Sequence, residues 1–194
     1  MSYRPGAHIP GGFCEAGRTV DAMMVAELAN YLARIEDLHG QISGLITDLS
    51  AHALNWRPLD GAEDHATNSL AVLTAHVAGA EHFWIAEVIG RRPPTRDRPA
   101  EFAAVAIGAE MLIRRLQETL QETRDVFSAL GESDLNDTRR ADDRDVPVRW
   151  CMIHVIDHTA LHLGHMQMTY QLWSGGKSFA SPPWFERLSP NRPA

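Results

Sequence analysis

Four of the chain's ten histidines stand within twelve residues of each other, at His154, His158, His162 and His165. They lie in the stretch Trp150–Trp173, which contains Asp157 as its only carboxylate and no Lys or Arg. At about 100° per residue this stretch reads as a helix, and the four imidazoles fall in a stripe about 80° wide. A helix that is apolar nearly all round is buried over most of its circumference. Buried imidazoles need partners, and neutral imidazoles at i, i+4 spacing suit a divalent metal. The bland alternative is a row of core histidines bonded to backbone or water. His154 and His165 are about 16 Å apart along the axis, too far to share one ion. Spacing alone leaves three pairs open: His154/His158, His158/His162 and His162/His165.

Three further elements must position this helix. Apolar residues at Met24, Leu28, Tyr31, Ile35, Leu38, Ile42, Leu45 and Leu49 are spaced four, three, four, three. That is a bundle seam, and it predicts a first helix over about 19–50. Asn55-Trp56-Arg57-Pro58 and Asp60-Gly61 then break the pattern, with Trp56 expected to lie on the bundle. Ser69 is a plausible N-cap for a second helix, 70–89, with its apolar face at Leu70, Leu73, Val77, Ala80, Trp84 and Val88. His76 lies within about 60° of Leu73 and points inward, whereas His82 falls on the opposite face, toward solvent. Gly90 to Pro94 ends this helix, and the basic residues up to Pro99 are expected in solvent.

A third helix begins between Ala100 and Gly108 and runs to Leu130, with a stripe of Leu112, Leu116, Leu120, Phe127 and Leu130. Residues 131–148 are charged and turn-like. Arg139, Arg140, Arg144 and Arg149 could hold an anion, but they alternate with Asp137, Asp142, Asp143 and Asp145, which favours a solvated loop. Four amphipathic helices without a strand pattern predict an all-α protein, a four-helix bundle of up-down or long-crossover type. Residues 1–18 form an expected irregular arm, 19–174 the bundle and 175–194 an irregular tail.

Composition narrows the function. A chain of 194 residues with 44% hydrophobic content suits one soluble domain. Basic residues number 18 against 25 acidic, a net charge of −7, which argues against nucleic acid and anionic membranes as partners. No apolar run spans a bilayer, and the N-terminus lacks a signal-peptide core, so a cytoplasmic location is expected. Cys14 and Cys151 are too few for a disulfide framework. Cys151 reads as a small core residue rather than a nucleophile activated by His154. A di-iron carboxylate site needs two Glu-x-x-His motifs. Only Glu36-x-x-His39 matches, and both residues lie off the seam of the first helix, so that site is rejected. The nearly uncharged fourth helix suggests a homodimer.

The segment His154-x3-His158-x3-His162-Leu163-Gly164-His165 resembles the last helix of the DinB-like family. Leu73-x2-His76 with Phe83-Trp84 resembles the family's second helix, and Asn55-Trp56-Arg57-Pro58 followed by Ser69 resembles the loop before it. The likeness covers roughly residues 20–173. It implies a four-helix bundle binding a divalent metal (Zn, Ni or Fe) through three histidines, which by position are His76, His158 and His162. His154 would be a neighbour in the core, and His165 stands where the family has Gln or Glu. Relatives in this family resemble metal-dependent transferases or isomerases that use low-molecular-weight thiols such as mycothiol or bacillithiol. The resemblance therefore implies a thiol-using transferase or a hydrolase acting on a small molecule, with a non-catalytic metal- or ligand-binding protein as the alternative.

Overall fold

The computed structural model describes residues 24–59 and 67–179. The expected arm at 1–18, the start of the first helix, the Asp60-Gly61 turn and the end of the tail lie outside them. Six α-helices follow in order: α1 Ala26–Ile46, α2 Ala51–Asn55, α3 Leu70–Glu81, α4 Arg98–Phe102, α5 Ala109–Ser128 and α6 Val148–Trp173. A π-helical segment, His82–Ile89, continues α3 without a break. The protein is a helical bundle of α1, α3, α5 and α6, as the apolar periodicity predicts. α1 packs on α5 and α6, and α3 packs on the same two. So α1 and α3 occupy opposite corners, joined by the segment that contains α2.

Local signals explain the starts. Ser69 Oγ accepts from Val72 N at the head of α3, Ser50 caps α2 in the same way, and Asp97 caps α4. Asn55 ties the α2 end to the segment before α5: its amide donates to Ala106 O at 2.7 Å and accepts from Ala106 N at 2.9 Å. Trp56 beside it is half-buried.

The core has two apolar layers. One contains Leu38, Ile42, Leu73, Val77, Leu112, Leu116, Leu163 and Met166; the other contains Leu28, Ile35, Ile85, Val88, Val126, Phe127, Met152 and Val155. Between them each long helix contributes buried polar residues: His39, Glu81, Thr123 and Thr159. His39 Nε2 meets Glu81 Oε2 at 2.6 Å, and Thr123 Oγ donates to Glu81 Oε1 at 2.6 Å. The sequence placed His39 off the seam, but in a bundle α1 is covered from two sides and toward the diagonal, so one stripe does not describe its buried surface.

Two other expectations need correction. Residues 131–148 are not wholly irregular: Thr138–Ala141 (β1) and Arg144–Pro147 (β2) form an antiparallel hairpin, with Arg139 opposite Val146 and Arg140 opposite Asp145. Its turn residue Asp142 has φ 50°, a conformation Asp tolerates better than most residues. The arginines here bind carboxylates. Arg139 is buried on Asp134 and Asp137, Arg140 reaches Asp145, Arg144 reaches Asp143, and Arg149 forms a double hydrogen bond with Glu27. They do not converge on one anion site.

Candidate metal centre

α6 carries His158 and His162 one turn apart, and α3 carries His76 on the face toward them. Every residue of α3 is buried, so His76 cannot turn to water. The three side chains meet: ring centroids are 4.8 Å apart for His76–His158, 5.0 Å for His76–His162 and 4.4 Å for His158–His162. One nitrogen from each ring lies within 4.8 Å of the others. His76 Nε2 faces His158 Nε2 at 3.1 Å. Bond lengths of 2.0–2.1 Å to a tetrahedral ion place its ligand nitrogens about 3.3 Å apart. The pair already stands near that spacing, and His162 needs a small side-chain adjustment. No other trio of metal-ligating side chains converges among the described residues.

The charge state fits a cation. Burial, reinforced by the neighbouring imidazoles, pushes His158 down to about 3, and burial with His76 and His165 pushes His162 down to about 4. Both rings are therefore neutral at pH 7 with lone pairs available. His76 is oriented from behind. Its Nδ1 stands 2.9 Å from Glu101 Oε2 on α4, and Glu101 is fully buried. Arg96 clamps the same carboxylate with Nε at 2.7 Å and Nη2 at 2.9 Å. Burial alone would raise the Glu101 carboxyl, but the hydrogen bonds from Arg96 and His76 outweigh it and hold it below its usual range. An ionised Glu101 accepts Nδ1–H of His76, which leaves Nε2 as the lone pair facing the other two rings.

This support was not anticipated from the sequence. Arg96 was expected in solvent with its basic neighbours, and Glu101 was not singled out. The nearest signal in the sequence is Gly79. A Cβ there would lie 2.0 Å from Glu101 Oε1, but helical Gly40 and Gly164 meet nothing within 4 Å, so a helical glycine alone does not single the position out.

The other histidines are placed differently. His154 stacks on Trp150, centroids 4.7 Å apart and planes 6° from parallel, with Trp84 edge-on to both. Burial lowers its pKa. Its ring centroid is 5.6 Å from that of His158, so it borders the trio. His165 is exposed, and its Nδ1 is 3.4 Å from His162 Nδ1. His82 is not free in solvent: Nδ1 meets Glu122 at 2.6 Å and Nε2 meets Thr95 at 2.9 Å. Cys151 is a fully buried core residue, and burial pushes its thiol up to about 11.

With the geometry in hand, comparison with known proteins decides the family. The profile of the DinB superfamily matches residues 26–166. The chain belongs to the DinB superfamily. Solved structures of the same fold include a conserved protein from Enterococcus faecalis, 17% identical, TM-score 0.62, covering 79% of this chain and 99% of that one. They also include a DinB-like protein from Bacillus cereus, 15% identical, TM-score 0.61, covering 80% and 95%. At such identities they establish the fold alone. No curated protein matches this DinB-superfamily chain. No helix among the described residues is long and apolar enough to cross a membrane.

Proposed function

We propose that His76, His158 and His162 bind a divalent metal ion and that the protein is a metal-dependent enzyme acting on a small molecule. The reaction class is thiol-using transfer or hydrolysis. The observation that supports this best is the convergence of three imidazole nitrogens within 4.8 Å, with the His76 tautomer fixed by a buried carboxylate. A bound divalent ion supplies a Lewis acid that lowers the pKa of a thiol or water. The chain's own residues do the rest. Burial keeps His158 and His162 neutral, Glu101 holds the Nδ1 proton of His76, and Arg96 balances the charge of Glu101. Phe102 packs on His76 at 4.8 Å on one side, and the Trp84–Trp150–His154 group borders His158 on the other.

A protein that uses the ion only structurally would need a fourth side-chain ligand. Among the described residues no fourth side chain joins the three: neither His154, stacked on Trp150, nor His165 belongs to the converging set. That favours catalysis over a purely structural ion. Zinc, nickel and iron suit the three-nitrogen set. The acidic net charge of −7 argues against a nucleic-acid partner.

The test is metal analysis of the purified full chain, then turnover of electrophiles with mycothiol, bacillithiol or glutathione, and of ester and amide substrates without thiol. Metal at one equivalent per chain with turnover in either assay supports the proposal. Bound metal with no turnover in any combination favours the binding-protein alternative. Absence of tightly bound zinc, nickel and iron, with full reloading attempted, refutes the site.

A further inference from the structure

Arg96 has no helix or strand to place it. It stands in the connector 91–97, between the π-helical segment and α4. Yet its guanidinium makes two hydrogen bonds to Glu101, the carboxylate that meets His76 Nδ1. An arginine side chain has many rotamers to lose. It holds one geometry only if its backbone is held as well.

A carboxylate of the π-helical segment supplies that hold. Glu87 Oε1 accepts from Thr95 N and, at 2.8 Å, from Arg96 N, with Thr95 Oγ at 3.3 Å. The Glu87 side chain is only 6% exposed, and its other neighbour is His82 Nε2 at 3.2 Å. A carboxylate so nearly buried is costly unless its hydrogen bonds are made. Glu87 is therefore fixed to the connector as firmly as the connector is fixed to it. Phe83, four residues before Glu87 on the same segment, lies under the Arg96 guanidinium at 5.5 Å. One residue grips the backbone of Arg96 and the other its head.

We propose that Glu87 is a positioning residue of the metal centre: it holds Arg96, Arg96 holds Glu101, and Glu101 fixes the tautomer of His76. The proposal rests on the metal reading above. Its links are short: Glu87 Oε1 to Arg96 N at 2.8 Å, Arg96 Nε to Glu101 Oε1 at 2.7 Å, and Glu101 Oε2 to His76 Nδ1 at 2.9 Å. Glu101 is fully buried, so slack in the connector passes to His76 rather than being absorbed by solvent. If Glu101 drifts, His76 loses its acceptor at Nδ1. The ring is then free to carry its proton on Nε2, the atom that must face the ion as a lone pair. Glu87 and Phe83 both belong to the π-helical segment, so the irregular turn of α3 is what meets the connector.

Glu87→Met removes the acceptor and keeps an unbranched stem; Glu87→Gln keeps an acceptor oxygen. Thr95 is exposed and Arg96 half-buried, so water can reach the amides freed in Glu87→Met, and the variant should fold. Zinc affinity of the full chain should fall about 10-fold in Glu87→Met and stay near wild type in Glu87→Gln. In an Arg96→Met background, Glu87→Met should change the affinity no further, because the link it acts through is gone. Imidazole nitrogen NMR of the metal-free protein at fixed pH reads the tautomer directly. His76 should carry its proton on Nδ1 in wild type and Glu87→Gln, and should lose that preference in Glu87→Met. A Glu87→Met protein with a lowered Tm but wild-type zinc affinity and wild-type His76 tautomer overturns the proposal. So does an affinity loss of the same size with and without Arg96. A chain that takes up no zinc overturns the metal reading, and the metal-free spectra then decide the role of Glu87 alone. A tautomer change in Glu87→Met supports that role, and an unchanged tautomer overturns it.

Discussion

Gly79→Ala tests the support behind His76 without touching any ligand. Gly79 is in the middle of α3, where alanine is intrinsically better by about 1 kcal/mol. The new Cβ would lie 2.0 Å from Glu101 Oε1, 2.4 Å from Cδ and 3.1 Å from Cγ. The carboxylate must retreat by at least about 1 Å to reach ordinary contact distance. Carboxylates at the end of flexible side chains often do this cheaply. Here Glu101 is fully buried, and three hydrogen bonds of 2.7–2.9 Å hold it. A shift of that size takes them out of bonding range. Disrupting a buried ion pair costs about 3–5 kcal/mol, which exceeds the propensity gain. The net expectation is a loss of roughly 2–3 kcal/mol, a fall in Tm of about 5–10 °C for a chain of this size. Metal affinity should drop about 10–100-fold, because His76 loses the acceptor that fixes its tautomer. Gly40→Ala is the control: it is also inside a helix, but its Cβ meets nothing within 4 Å, so it should raise Tm by a few degrees at most, roughly. Thermal melts and zinc competition titrations read both. A Gly79→Ala protein as stable as Gly40→Ala, with wild-type zinc affinity, would refute the reasoning.

His76→Ala, His158→Ala and His162→Ala should each strip the metal, whereas His82→Ala should leave it bound; metal analysis showing full occupancy in His158→Ala would sink the assignment. The metal-free protein should lose stability on acidification. The unfolded chain protonates histidines near pH 6.5, whereas folded His158 and His162 wait until about 3 and 4. Between those limits the unfolded state binds more protons, so stability falls as pH drops from about 6.5 toward 4 and is flat in this respect above 7. Melts of chelator-treated protein from pH 7.5 to 5 check the sign, and an apo Tm that rises on acidification contradicts it. Cys151, with its thiol pushed up to about 11 inside the core, should resist a disulfide reagent at pH 8 in native Cys14→Ser protein and react fully after denaturation. Rapid native labelling would show that this face of α6 opens.

The helices were legible because each long one repeats its apolar residues at close to helical period. Leu28, Ile35, Leu38, Ile42 and Leu45 of the predicted seam are all buried. His76 was legible for the same reason, through its angle to Leu73. The support for His76 was not. Arg96 and Glu101 lie in a short segment around the five-residue α4, too short to carry a period, and their partners come from tertiary contact. The hairpin was missed because its four-residue strands, Thr138-Arg139-Arg140-Ala141 and Arg144-Asp145-Val146-Pro147, carry no alternation of apolar and polar residues. Its inward side chains are Arg139, neutralised by Asp134 and Asp137, and Ala141.

His82 shows where a helical wheel fails. A wheel built at 100° per residue assumes one uninterrupted α-helix from Leu70 to Ile89. The backbone instead changes to π-helical at His82, and Gly90 N donates to Ile85 O in the i+5 pattern. Each wider turn shifts the following side chains relative to the α-helical register. His82 itself still donates its N–H to Ala78 O in the α pattern, so its angle is the one the wheel gives; what the wheel omits is that α5 and Thr95 cover that face. The change to π-helix accompanies Phe83 beneath Arg96, at 5.5 Å, and Trp84 against Trp150 and His154. π-helical turns occur often at functional sites. In this chain the segment begins one residue after Glu81 and less than two turns after His76. It leaves the ligand histidine in regular α-helix and re-aims the aromatic residues that border His154, the neighbour of His158.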